Sequence, residues 1–85
     1  MIPGMESLIG QGPQKALDLL GKPGLDRSEG MSRQLQFANQ SCILDIYYYP
    51  RVSVGMIATY AEAREPNGRP MEAGRCLSRL VPAHH

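Results

Sequence analysis

The chain has 85 residues, nine Lys plus Arg against eight Asp plus Glu, and a formal charge of +1. That length supports one hydrophobic core and excludes a second independent one, so residues 1–85 read as a single domain, with 1–12 an irregular lead-in and 82–85 a frayed tail. The balanced charge argues against a nucleic-acid partner, whose binders carry a basic face, and no stretch nears the roughly 18 continuous apolar residues of a membrane span.

The first ten residues, MIPGMESLIG, lack the basic and apolar regions of a secretory signal. The chain is therefore either cytosolic or the part that follows a removed signal. Leu8 and Ile9 in this lead-in are expected to tuck into the core. GPQKALDLLGKPG then carries helix punctuation at both ends: Pro13 suits the first helical position, and Gly21 with Pro23 suits the stop. Ala16, Leu17 and Leu20 share one face of this two-turn helix. So short a helix holds only when that stripe is packed on something.

Leu25–Gly30 reads as a polar connector. From Met31 to Ala38 the alternation of Met31, Arg33, Leu35 and Phe37 against Ser32, Gln34, Gln36 and Ala38 predicts a half-buried strand. A short turn at Asn39 and Gln40 leads into SCILDIYYYP, a central strand by its β-branched and aromatic content, closed by Pro50. Gly55 ends a loop, MIATYAEAR forms a third strand, and Pro66, Asn67 and Gly68 mark the turn after it. The tail places Ala73, Cys76, Leu77, Leu80 and Val81 on one helical face, with Pro70 at the start of that helix and Pro82 at its stop. The prediction is an α+β two-layer sandwich in the order α-β-β-β-α, a three-stranded antiparallel meander with both helices on one face.

Cys42 begins the central strand on the parity of Leu44, Ile46 and Tyr48, and Cys76 lies in the stripe of the last helix. The two sulfurs either meet as a disulfide, which would stabilise the fold by about 3 to 4 kcal/mol on the chain-entropy model, or remain two separate buried thiols. Zinc is not expected: no CxxC or HxxxH spacing occurs, and His84 and His85 sit at the extreme end. A cysteine nucleophile would lack a base, since both histidines lie in that tail. No GxSxG, P-loop or HExxH is present, and Gly10–Gly12 lacks the preceding strand of a dinucleotide site. Glu62 and Glu65 read as solvated carboxylates. No catalytic residue, cofactor or metal is assigned.

Parity divides the tyrosines. Tyr48 falls on the core side, while Tyr47 and Tyr49 share the other face with Ile43 and Asp45, and Tyr60 could join either. Asp45 reads as a solvent-facing carboxylate paired with Arg33, Arg51 or Arg64. Asp45, Tyr47 and Tyr49 form either a partner-contact face, for which tyrosine is favoured, or an ordinary half-solvated sheet surface.

The segments LIG, ALDLLGKPGLDRSEG, LQFANQSCILDIYYYP, YAEAREPNG and RCLSRL together resemble the SmpA/OmlA-type, or BamE-like, small outer-membrane lipoproteins of Gram-negative bacteria, and most of all the short alphaproteobacterial members of that class. The resemblance implies helices against a three-stranded antiparallel sheet, as in β-lactamase-inhibitor-like domains. It also implies export, with a signal or lipidation segment removed, residence in the periplasm or on the periplasmic face of the outer membrane, and oxidation of Cys42 and Cys76 to a disulfide. Phe37 stands where such proteins often carry Trp or Tyr, and the lead-in has no lipidation cysteine, so membrane attachment would come only through an anchor outside this chain. The class carries no catalytic residues. The function expected on this basis is a non-catalytic envelope domain with a protein partner, in support of outer-membrane assembly or integrity. An inhibitor-like module binding an envelope enzyme through the Tyr47/Tyr49 face is the alternative, and a cytosolic enzyme with a reactive Cys42 a second one.

Overall fold

A sheet of five antiparallel strands in simple sequence order backs onto two short helices in the structure, a computed structural model that describes residues 4–82. A single 3-10 turn at Met5–Ser7 precedes α1 (Pro13–Leu20). Strands β1 (Leu25–Glu29), β2 (Ser32–Ala38), β3 (Ile43–Arg51), β4 (Gly55–Arg64) and β5 (Pro70–Met71) follow, and α2 (Ala73–Leu80) closes the chain. The α+β class and the antiparallel meander are as expected, but the sheet has five strands rather than three. Ala83, His84 and His85, and with them most of the expected tail, lie outside the described residues.

Leu25–Gly30, read as a connector, holds the first extra strand. All five residues of β1 are exposed, so this edge strand has no apolar face for a sequence pattern to reveal. Its geometry comes from the two-residue turn Gly30–Met31, where Gly30 takes φ 60°, the left-handed conformation that tight hairpins place on glycine. Met31 consequently leaves the strand and is 76% exposed. The second extra strand, β5, follows a turn in which the Gly68 N–H donates to the Glu65 carbonyl at 2.8 Å and Gly68 takes φ 94°. Pro70 therefore sits in β5 instead of opening the last helix. That role falls to Glu72, whose carboxylate accepts the Gly74 and Arg75 N–H groups at 2.8 and 3.0 Å, satisfying donors that the helix cannot pair itself and complementing its dipole. A Cβ on Gly74 would lie 3.0 Å from that carboxylate, so a larger residue there would press on the cap.

The core lies between one sheet face and the helices. Leu35 and Phe37 of β2, Leu44, Ile46 and Tyr48 of β3 and Ala58 of β4 meet Ala16, Cys76 and Leu77 from α1 and α2. Leu8 is buried among them, whereas Ile9 is 37% exposed, contrary to the expectation that both enter the core. Backbone bonds explain the difference. The Gly10 N–H donates to the Ala58 carbonyl and the Ala58 N–H to the Gln11 carbonyl, both at 2.8 Å, so the lead-in runs along the edge of β4 and presents alternate sides. Pro50 does not end β3, which pairs on through Pro50↔Met56 and Arg51↔Gly55. β2 stops pairing at Tyr48, so Pro50 lies where one side of β3 has become a free edge, the setting in which a strand tolerates proline.

A candidate interaction face

Among the described residues no helix covers the opposite face of the sheet, and on it the outward residues of β2, β3 and β4 form two adjoining groups. The first surrounds Asp45, which is only 2% exposed. Its Oδ1 accepts from the Nε2 atoms of Gln34 and Gln36, both at 2.8 Å, and its Oδ2 accepts from the Arg64 guanidinium at 2.9 Å. The expected pairing with Arg64 is present, but the expected solvent-facing position is not. Long polar side chains from both neighbouring strands close over the carboxylate, a cover that strand parity does not disclose. Such a carboxylate is tolerated under cover because donors replace the water it loses. Arg33 is engaged elsewhere, in a two-bond pair with Asp26 at 2.7 and 2.9 Å. That pair holds the Asp26 carboxyl below its usual range, chiefly through the hydrogen bond.

The second group is aromatic. Tyr47 and Tyr60 face each other across β3 and β4 with ring centroids 4.6 Å apart and planes 17° from parallel, a stacked cross-strand pair. Burial raises the Tyr47 hydroxyl above its ordinary value, with the neighbouring Asp45 and Glu62 charges adding to the effect. Tyr49 lies next along β3 and is 42% exposed, as Tyr60 is 44%. A shallow cleft of about 110 Å³ lies between these rings and Arg27, Glu29 and Gln34.

Tyr60 reaches this face because of a bulge that periodicity alone does not reveal. The register passes from Tyr47↔Tyr60 to Tyr48↔Ala58, leaving Thr59 as an extra residue in β4. Without it, Tyr60 and Ala58 would share a face. With it, Ala58 enters the core and Tyr60 stacks outside, a re-aiming that bulges commonly perform. No turn signal in the sequence locates it; the lead-in bonds to Ala58 lie next to it.

On the core side, Cys42 and Cys76 are joined as a disulfide with Cα atoms 5.8 Å apart, and both residues are fully buried. The bond ties the entrance of β3 to the middle of α2. Asn39 adds a second tie, donating its Nδ2–H to the Arg79 carbonyl at 2.9 Å while its Oδ1 accepts the Ser41 and Cys42 N–H groups. No thiol remains free among the described residues, so Cys42 offers no nucleophile in this state. Among the same residues no group of three or more His, Cys, Asp or Glu side chains converges as a metal site, and no helix is long and apolar enough to cross a membrane.

No family model, curated protein or solved structure matches this chain. The contact surface is therefore read from the geometry of the face.

Proposed function

We propose that this chain is a non-catalytic cell-envelope protein-interaction domain that meets its partner with the helix-free sheet face. The observation that carries the proposal is the aromatic group on that face: Tyr49 and Tyr60 are each more than two-fifths exposed, and Tyr60 is braced by its stack on Tyr47. Tyrosines held rigid supply contact area at low entropic cost, with a hydroxyl left for hydrogen bonding. Beside them the Asp45 network links β2, β3 and β4. The periplasmic assignment, and the role in outer-membrane assembly or integrity, draw on the BamE-like resemblance; a buried disulfide is consistent with an oxidising compartment. The finer fold assignment, to the BamE and β-lactamase-inhibitor-like class, belongs to the same proposal.

The test replaces Tyr49 and Tyr60 by serine in the full chain, with melting temperature as the folding control, and compares capture from an envelope extract. Loss of a reproducible partner at unchanged stability supports the proposal, and unchanged capture rejects it. A thiol titration of protein isolated without reductant addresses the compartment: two reactive thiols after unfolding would defeat the envelope assignment.

An inhibitor-like module binding an envelope enzyme is a second reading, favoured by the tip of the β3–β4 hairpin. Val52 and Val54 are 91% and 65% exposed there, beside Arg51, in the turn that joins the two strands. Partner loss on Val52→Ser with Val54→Ser, and retention in the tyrosine variant, would select this reading.

A further inference from the structure

The outer edge of β1 has no partner among the described residues, and its sequence is self-complementary in one register. Its hydrogen-bonding phase follows from the hairpin. The two-residue turn makes Glu29 and Ser32 a bonded pair, so Leu25, Arg27 and Glu29 aim their backbone groups at β2, while those of Asp26 and Ser28 point to the open edge. The Gly24 N–H on the Gln36 carbonyl at 2.8 Å, beside the Leu25↔Gln36 pair, fits that phase as a small bulge opening the strand. The opposite side of the sheet is better closed: the lead-in and β5 each cover part of β4, and β5 itself is only two residues long.

We propose that β1 pairs antiparallel with β1 of a second copy, about a two-fold axis normal to the sheet at Ser28, giving a ten-stranded sheet. Such an axis keeps each sheet face on its own side and closes after two copies. With Ser28 opposite the second copy's Ser28, Arg27 faces the second copy's Glu29, and the reverse pair repeats it. Asp26 then lies opposite the second copy's turn at Gly30. Leu25 and Met31, 36% and 76% exposed, lie at the two ends of the paired segment. Neither Arg27 nor Glu29 has an ion-pair partner in the monomer among the described residues.

The neighbouring registers are unfavourable. Centred on Arg27, the pairing sets two guanidinium groups against each other and Leu25 against Glu29. Centred on Asp26, it opposes two carboxylates. Charges on an edge strand usually discourage pairing; here they admit one register and reject the others. The contact of two five-residue strands is small beside the roughly 1,200 Å² of a stable interface, so the pairing is weak and reversible. Pairing would also join the two tyrosine faces into one longer surface.

Sedimentation velocity on the full chain, from low micromolar to near-millimolar concentration, tests this. A concentration-dependent dimer is expected. Arg27→Glu or Glu29→Arg alone should weaken it by about tenfold or more, since each creates two like-charge pairs, and the double reversal should restore it. Ser28→Pro removes an N–H that β2 does not use, and should abolish the dimer while the thermal unfolding transition stays in place. A chain that stays monomeric throughout overturns the proposal. So does a dimer insensitive to the single reversals, or one lost in Tyr49→Ser with Tyr60→Ser instead.

Discussion

Replacing Asp45 probes the polar half of the face, because three donors converge on a carboxylate that is nearly inaccessible to water. In Asp45→Ala the half-buried Gln34 and Gln36 amides lose their shared acceptor. Hydrogen bonds to a charged group contribute about 1.5–3 kcal/mol each, but not additively. The Arg64 bond counts for less, since that side chain is 44% exposed and returns to solvent. Together these give a loss of about 2–4 kcal/mol. Asp45→Asn keeps an oxygen for both glutamines while turning an amide donor toward Arg64, so it should cost about 1–2 kcal/mol. Urea unfolding of the two variants, with a double-mutant cycle against Gln36→Ala, measures both values and the coupling. An alanine variant within about 0.5 kcal/mol of the native chain would refute the reasoning, as would an asparagine variant no better than alanine.

The disulfide closes a loop with a sequence separation of 34, worth about 4 kcal/mol on the chain-entropy relation. Cys42→Ala with Cys76→Ala should therefore lower the melting temperature by roughly 15–30 °C, and a fall of less than about 5 °C would contradict the estimate. Burial pushes the Tyr48 hydroxyl up to about 12, with the Arg33 charge opposing. The unfolded tyrosine ionises near 10, so this stabilisation is complete below about pH 10 and is lost as pH rises toward 12, amounting to about 2–3 kcal/mol. Tyr48→Phe should flatten that alkaline slope in urea midpoints. Ser53 takes φ 69° in the β3–β4 turn, a conformation that favours glycine, so Ser53→Gly should raise stability by about 0.5 kcal/mol and Ser53→Val lower it.

Where burial is one-sided and periodic, the fold was legible in the sequence. The stripe of Ala73, Cys76, Leu77, Leu80 and Val81 packs as its spacing implies, and the core parity of Leu35, Phe37, Leu44, Ile46 and Tyr48 holds along β2 and β3. Strand β1 was not legible because it buries no face, and the spacing of Gly30 from the next strand was its one local sign. In β4 the bulge at Thr59 breaks the alternation, which left the side of Tyr60 undecided and hid the stack with Tyr47. Tyr47 and Tyr49 do share the outer face. Asp45 shares it too, but its burial comes from glutamine and arginine side chains reaching across strands, a tertiary effect with no periodic signature.

A photoreactive side chain placed at Tyr49 or Tyr60, with controls at Lys15 of α1 and Arg75 of α2, tests most directly whether the helix-free face is the contact surface. If it is, irradiation of envelope preparations yields an adduct of one defined mass from the two sheet positions and none from the helices. Adducts from the helix positions, or equal labelling at all four, would contradict it.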